Sequence, residues 1–380
     1  MHPDDITALS AAWAKSSPFE PFKYSAGSQK AKIAVVGEAW GDNEAKFKHP
    51  FVGAAGLELA RMMGESGLTQ PFIFPRYANR ETYLMGHWAT SGLFLTNVFC
   101  EHPPGNKLDD WCLSKKEVGP DYHMPYLKSG KYIHPMFFPH LERLVAELKA
   151  VQPNLIIALG NTACWALMHQ TAITKIRGAI AWSKVTKCKI LPTFHPSNVL
   201  QTWSNRPIVL QDFMKAAREG KFPEIRRPER QVTINPTIDD IYHWALRPAE
   251  IYSVDIETSK GQITMIGFAR SPQDAIVIPF IKGDGTSYWA SHEDEVRAWT
   301  MVKEMLERPL PKLFQNGLFD LSYIVRLGIR PRNCIEDTML LHHSLFPEMK
   351  KGLEFLGSIY TDEASWKMMR SHNTSNKREE

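Results

Sequence analysis

Residues Lys32–Gly41 read KIAVVGEAWG: an apolar run, Lys32–Val36, empties into a loop of small residues that carries one carboxylate, Glu38. A run of this kind bounded by glycine predicts a strand covered on both faces, because a half-buried strand would alternate with polar residues. Three further runs repeat the pattern at Leu93–Val98 (LFLTNV), Asn154–Leu159 (NLIIAL) and Cys188–Phe194 (CKILPTF). Helical periodicity lies between or after them, over Gly56–Met63, Phe138–Val151, Thr162–His169 and Ile208–Glu219. Strand–helix alternation predicts an α/β domain with a parallel sheet covered on both sides. Ligands of such sheets sit at the carboxyl ends of the strands. Three of the four strands end at chemically interesting residues: Gly37-Glu38-Ala39-Trp40-Gly41, Asn97, and His195-Pro196-Ser197. The fourth ends at Gly160-Asn161, where Asn161 is expected to cap the next helix.

The chain has 380 residues, which suits two domains. Its 43% hydrophobic and 23% charged content excludes disordered and fibrous classes. Forty-five basic against 41 acidic residues leave a net charge of +4, compatible with a nucleic-acid partner without requiring one. No apolar run approaches the roughly 18 residues needed to span a bilayer, so no membrane partner is expected. The first residues, MHPDDITALSAAWAKSS, carry acids where a secretion signal needs bases. Five scattered cysteines make a disulfide framework improbable and point to a reducing cytoplasm. The proline-rich stretch Lys221–Pro236 is read as a linker. The expected organisation is an extension over 1–29, a first domain over 30–220, a second over 237–370, and a polar tail over 371–380.

In the second domain, Ile251–Glu257, Ile263–Ala269 and Ala275–Phe280 predict a strand meander, followed by a helix over Glu293–Glu307. A strand at Lys312–Gln315 and helices over Leu318–Leu327 and Thr338–Leu345 complete the pattern. Asp255 and Glu257 stand two apart on one predicted strand, so alternation puts both carboxylates on the same face.

Val36–Leu59 (VGEAWGDNEAKFKHPFVGAAGLEL), Thr96–Lys107 (TNVFCEHPPGNK), Leu159–Ala163 (LGNTA) and Thr193–Leu200 (TFHPSNVL) resemble, in order, the uracil-DNA glycosylase superfamily, nearest its iron–sulfur branch. The resemblance implies a three-layer α/β/α domain that extrudes a nucleotide from DNA and hydrolyses its N-glycosidic bond. It implies that Phe51 stacks on the extruded base. Asn97 then reads N3–H and O4 of uracil with one amide, which offers both an acceptor and a donor. His195 would stabilise the developing uracil anion. Glu38 would orient the attacking water, favour the cationic sugar, or crowd C5 against thymine, and these three roles stay open. Ser197 and the turn Pro103–Gly105 are candidates for gripping phosphates. Two departures stand out. Trp40 occupies a position where the family usually has proline. The four cysteines of the branch are not matched, since only Cys100 and Cys112 remain and His123 stands near a late ligand position. No iron–sulfur cluster is therefore expected.

Tyr252–Thr258 (YSVDIET), Phe314–Asp320 (FQNGLFD), Glu336–Leu340 (EDTML) and Lys351–Tyr360 (KGLEFLGSIY) resemble the DnaQ-like 3′–5′ exonuclease domain of family A DNA polymerases, an RNase H-like α/β fold. The resemblance implies that Asp255, Glu257 and Asp320 bind Mg²⁺ or Mn²⁺, while Asp337 caps or anchors a helix. The family's third motif is not found after Tyr360. The exonuclease-like domain is thus expected to be partial, with metal binding and nuclease activity weak or absent in this chain alone. The whole resembles the front of a phage-type polymerase acting on single- or double-stranded DNA in a bacterial host cytoplasm. Two other readings are a non-catalytic uracil-sensing or DNA-binding module, and an exonuclease completed by a separate polymerase or exonuclease chain.

Overall fold

The four apolar runs of the first half become strands, each supplying four or five residues to the middle of one sheet. In the computed structural model, which describes residues 20–363, the elements of this half are as follows. The chain runs β1 (Ala26–Gly27), β2 (Ile33–Gly37), α1 (Asp42–Phe47), α2 (Ala54–Glu65), α3 (Arg80–Thr90) and β3 (Phe94–Asn97). It continues α4 (Phe138–Val151), β4 (Leu155–Leu159), α5 (Gly160–Met168), β5 (Ala181–Trp182), β6 (Lys189–Thr193), α6 (Pro196–Gln201) and α7 (Arg206–Glu219). The sheet order is β1-β3-β2-β4-β6-β5. Its four middle strands are parallel, and the two-residue edge strands β1 and β5 are antiparallel to their neighbours. Every residue of β3, β4 and β6 is buried, so both faces of the sheet are covered. The strand order reverses between β2 and β4, the usual place for a ligand crevice in a doubly wound sheet.

Register brings the strand ends level. Gly37 lies beside Asn97, and Leu159 beside Thr193. Pairing of β2 with β3 continues past their ends, with Val98 N–H donating to Gly37 O at 3.0 Å and Phe99 N–H to Glu38 O at 2.9 Å. Buried ion pairs brace both ends of β6, Asp212 beside Thr193 at this end and Glu219 beside Lys189 at the other. Arg177 grips Asp212 with two nitrogens at 2.6 and 3.1 Å, and Lys189 reaches Glu219 at 2.9 Å.

The second half forms β7 (Gln231–Thr233), α8 (Ile238–Leu246), β8 (Tyr252–Ser259), β9 (Gln262–Ser271), β10 (Asp274–Pro279), α9 (His292–Glu307), β11 (Lys312–Phe314), α10 (Gly317–Arg326), β12 (Cys334–Asp337), α11 (Thr338–Leu345) and α12 (Leu353–Tyr360). Its sheet runs β12-β11-β8-β9-β10-β7. The expected meander β8-β9-β10 is antiparallel, whereas β11, β12 and β7 add in parallel. Strand β8 alternates buried Tyr252, Val254 and Ile256 with Asp255 and Glu257 on the other face. The buried residues pack on Phe268, Ile276, Met305 and Phe314.

The described residues divide into two compact units, one made of residues 20–225 with 357–363, the other of residues 226–356. Three expectations need correction. The stretch read as a linker contains β7, which pairs with β10 through Gln231–Thr233. The stretch read as an N-terminal extension contributes β1 to the first sheet through Ala26–Gly27. The second domain was expected to run to residue 370, but the described residues 357–363 group with the first unit, and 364–370 lie outside the described residues. The polar tail over 371–380 and the first 19 residues of the extension lie outside the described residues.

Candidate functional site

Gly37 is the centre of the site because its missing side chain is what lets two others meet. A methyl group on Gly37 would sit 2.2 Å from Asn97 Oδ1 and 2.7 Å from Phe51 Cζ. The amide of Asn97 and the ring of Phe51 therefore both lie against the Gly37 backbone at the end of β2. Phe51 is buried and held in the left-handed region at φ 56°, a strained backbone for a residue with a side chain. Three hydrogen bonds fix this loop. Trp88 Nε1–H donates to Phe51 O at 2.9 Å, while Val52 N–H and Gly53 N–H both donate to Glu44 Oε1, at 2.9 and 2.7 Å. Glu44 thus ties α1 to the loop that presents the ring.

His195 approaches from the end of β6. A methyl on Gly160, whose φ of 83° favours glycine, would meet His195 Cβ at 3.1 Å. Ser197 N–H donates to His195 Nδ1 at 3.2 Å, and Ser197 Oγ lies 2.7 Å from the same nitrogen. An Nδ1 that accepts a backbone N–H leaves the neutral ring with its proton on Nε2. Ser197, read from sequence as a phosphate ligand, thus has its hydroxyl engaged in setting this tautomer. Glu38 is reached across the strand-order reversal: Thr162 Oγ1–H donates to Glu38 Oε2 at 2.5 Å. Asn161 does not cap α5; its Oδ1 accepts Ile173 N–H at 2.8 Å, tying down the segment after that helix.

Burial lowers the pKa of His195, while the nearby Glu38 and Glu44 oppose the shift. Burial also lowers His49, His87, His140 and His169 in the same unit, His140 to about 3. Below the ordinary value of about 6.5, the unfolded chain then holds protons that the folded chain does not, so stability falls as pH drops through that window. The urea midpoint of the first unit is expected to be lower at about pH 5 than at about pH 7. An equal or higher midpoint at the acid value would contradict the histidine assignments.

The remaining sequence-derived candidates fall elsewhere. Pro103 is buried, lacks an N–H and accepts Asn106 N–H at 2.9 Å, so it offers a phosphate no donor. Gly105 is exposed at the tip of that turn with φ 55°. Trp40 is buried, meets Tyr24 edge-on at 5.3 Å, and donates its backbone N–H to Glu101 O at 3.1 Å. Its bulk is absorbed by packing on the N-terminal segment. In the second unit, Asp255 and Glu257 share a face of β8. Asp320 at the start of α10 accepts Ile256 N–H at 3.0 Å through Oδ1. Burial raises Asp255, with Glu257 adding to the shift, and burial pushes Asp320 up to about 6, with Asp255 and Asp337 adding. Asp337 caps α11 by accepting Met339 N–H at 2.8 Å, and it also accepts Gly317 N–H at 2.8 Å.

The family model of the uracil DNA glycosylase superfamily matches residues 24–218, which include all the residues gathered around Gly37. The chain belongs to this superfamily. A type-4 uracil-DNA glycosylase of Thermotoga maritima is 30% identical over 195 residues, covering 50% of this chain and 78% of that enzyme. A DNA polymerase of Bacillus phage SP01 is 27% identical over 274 residues. That match takes in 62% of this chain but only 29% of the polymerase. Among solved structures, Escherichia coli RNase D overlaps 39% of each chain with a TM-score of 0.29 and 15% identity.

The superfamily's iron–sulfur branch prompts a test of the cysteines. All five are free. Cys100 is buried, with its thiol pushed up to about 12 by burial, and its N–H donates to His140 Nδ1 at 3.3 Å. His140, rather than the exposed His123, is the histidine beside it. Cys112 donates to Leu108 O at 3.2 Å. The space around them holds rings: Trp111 stacks on Phe137 at 4.3 Å, and Phe99 meets Trp111, Phe137 and His140 edge-on. A cluster needs four thiolates in one place. This donor set, two cysteines among aromatic rings with His140 beside one of them, does not fit one. Among the described residues, no three His, Cys, Asp or Glu side chains are arranged to hold a metal, including those of the second unit.

Proposed function

We propose that the first unit of this protein excises uracil from DNA by base extrusion and N-glycosidic hydrolysis. The observation that carries this reading is the contact of Asn97 Oδ1 and the Phe51 ring on Gly37. An extruded pyrimidine laid on Phe51 would meet a donor–acceptor amide at its edge. Asn97 pairs with N3–H and O4 of uracil and leaves cytosine with mismatched buried groups, a strong penalty in a polar site. His195, neutral with its proton on Nε2, donates to the uracil oxygen as the glycosidic bond breaks and negative charge gathers there. A neutral donor suits this role, since an imidazolium would repel the cationic sugar. Glu38, held by Thr162, keeps one oxygen to orient water or to offset the sugar's charge. Gly105 N–H is the donor of its turn available to a phosphate.

The chemistry requires no metal, and the cysteines lead us to expect no iron–sulfur centre. Purified protein should be colourless and free of iron by metal analysis. In the second unit, we read Asp255, Glu257 and Asp320 as the remnant of a two-metal proofreading site. Among the described residues, no three of these side chains converge on a metal position, so nuclease action by this chain alone should be weak or absent.

One experiment tests both parts: incubation with uracil- and thymine-containing oligonucleotides, with and without EDTA, followed by alkali. Alkali-labile sites at uracil that survive EDTA are the expected result, without shortening of the ends. Phe51→Ala should slow uracil release by the stacking increment of about 1–3 kcal/mol, roughly 5- to 150-fold. Intact uracil oligonucleotide after alkali would rule out the glycosylase reading, leaving a uracil-sensing or DNA-binding module. Robust Mg²⁺-dependent shortening would overturn the reading of the second unit.

A further inference from the structure

The geometry points to Arg143 as a positioning residue for Asn97, an inference that rests on the uracil-excision reading. Arg143 lies on α4, at the back of the β3 strand end, and its guanidinium is almost wholly buried. One of its terminal nitrogens, Nη2, donates to two successive carbonyls, those of Asn97 at 2.5 Å and Val98 at 3.1 Å. The other, Nη1, donates to Thr96 Oγ1 at 2.9 Å and Glu147 Oε2 at 2.7 Å. Glu147 completes the group: it accepts Thr96 Oγ1–H at 2.9 Å and Phe22 N–H at 3.0 Å. One planar fork therefore brackets the Asn97 α-carbon, with Nη1 on the Thr96 hydroxyl before it and Nη2 on the Asn97 and Val98 carbonyls after it.

This placement has a specific consequence. Asn97 is the last residue of β3, beyond which the segment is tied to the β2 side by the Val98 and Phe99 N–H groups. Its side chain is tightly placed against Gly37, so a small rotation of the Asn97 backbone moves the amide off the base edge. A fork whose one nitrogen takes the Asn97 and Val98 carbonyls while the other holds Thr96 and Glu147 fixes that rotation, which a single point donor such as lysine does not. A buried charge pair is a poor source of net stability, because desolvating both ions offsets their attraction. Geometry is the stronger account of its presence. A threonine, a carboxylate and an arginine also group behind His195: Thr193 Oγ1–H donates to Asp212 Oδ2 at 2.6 Å, and Asp212 is gripped by buried Arg177. Both strands that deliver a base-contacting side chain thus carry a threonine–carboxylate–arginine group just before it.

The test compares the full chain with Arg143→Lys, with the double variant Arg143→Met/Glu147→Leu, and with Asn97→Ala. Single-turnover uracil release, binding of free uracil, affinity for uracil-free duplex DNA and the urea midpoint are measured for each. The double variant removes both charges together and so avoids an uncompensated buried ion. Arg143→Lys keeps a charge for Glu147 but gives up the fork, so it decides the matter if the double variant does not fold. Misplacement by about 1 Å can cost on the order of 100-fold in rate. Uracil release by the double variant should fall by about that factor, and release by Arg143→Lys by roughly tenfold. Free-uracil binding should weaken in both, while affinity for uracil-free DNA stays unchanged. If folded variants release and bind uracil as the unsubstituted chain does, whatever their midpoints, Arg143 only supports the fold and the inference is overturned. If the unsubstituted chain neither binds nor releases uracil, the excision reading fails first and the positioning role falls with it.

Discussion

Asn97→Ala is expected to slow uracil release by two to four orders of magnitude while leaving the fold intact. The loss follows from what the amide faces. Without it, N3–H and O4 of the base are enclosed with no partner. Each buried unsatisfied group costs about 1–3 kcal/mol, and a 1.4 kcal/mol change is tenfold in rate. Folding is spared because the residue ends its strand: its backbone is held by pairing with β2 and by Arg143, and the side chain, though buried, lies against the Gly37 backbone. Circular dichroism and single-turnover release from a uracil oligonucleotide measure the two effects separately. Release within about threefold of the unsubstituted chain, well under the 1 kcal/mol floor of one lost partner, would mean that the base is read elsewhere.

Glu38, Asn97 and His195 stand out in the sequence because continuous apolar runs deliver them. A buried parallel strand is the easiest element to read, and its end is where polar residues become suspicious. What holds these residues could not be read in the same way, because the partners are remote. Thr162 and Glu38 are 124 residues apart, and Arg143 is 46 residues from Asn97. Arg143 and Glu147 also stand four apart on a helix, the spacing of an ordinary solvated ion pair, and only burial distinguishes the two cases. The edge strands β1 and β5 have two residues each, too few to show a period. In the second unit, β8 was legible from alternation alone. The hydrogen bond from Ile256 N–H to Asp320 was not, because it depends on how α10 is set against that strand.

Gly37→Ala should abolish uracil release at least as fully as Asn97→Ala does, with only a modest loss of stability. The added methyl would overlap the Asn97 oxygen at 2.2 Å and the edge of the Phe51 ring at 2.7 Å. Both are the free ends of side chains, so the chain relieves the overlap by turning them away, at an overpacking cost of about 1–3 kcal/mol. That relief displaces together the amide and the ring proposed to read and to stack on the base. Gly56→Ala is the informative contrast. There the methyl would lie 2.0 Å from Phe51 O and 2.3 Å from its carbonyl carbon, backbone atoms that cannot swing aside. This second variant should lower the unfolding midpoint substantially, since α2 and the loop at Phe51 must separate to admit it. If Gly37→Ala instead unfolds the protein as Gly56→Ala does, the strand end is a packing site. If it folds and still releases uracil at the unsubstituted rate, the pocket is not at Gly37.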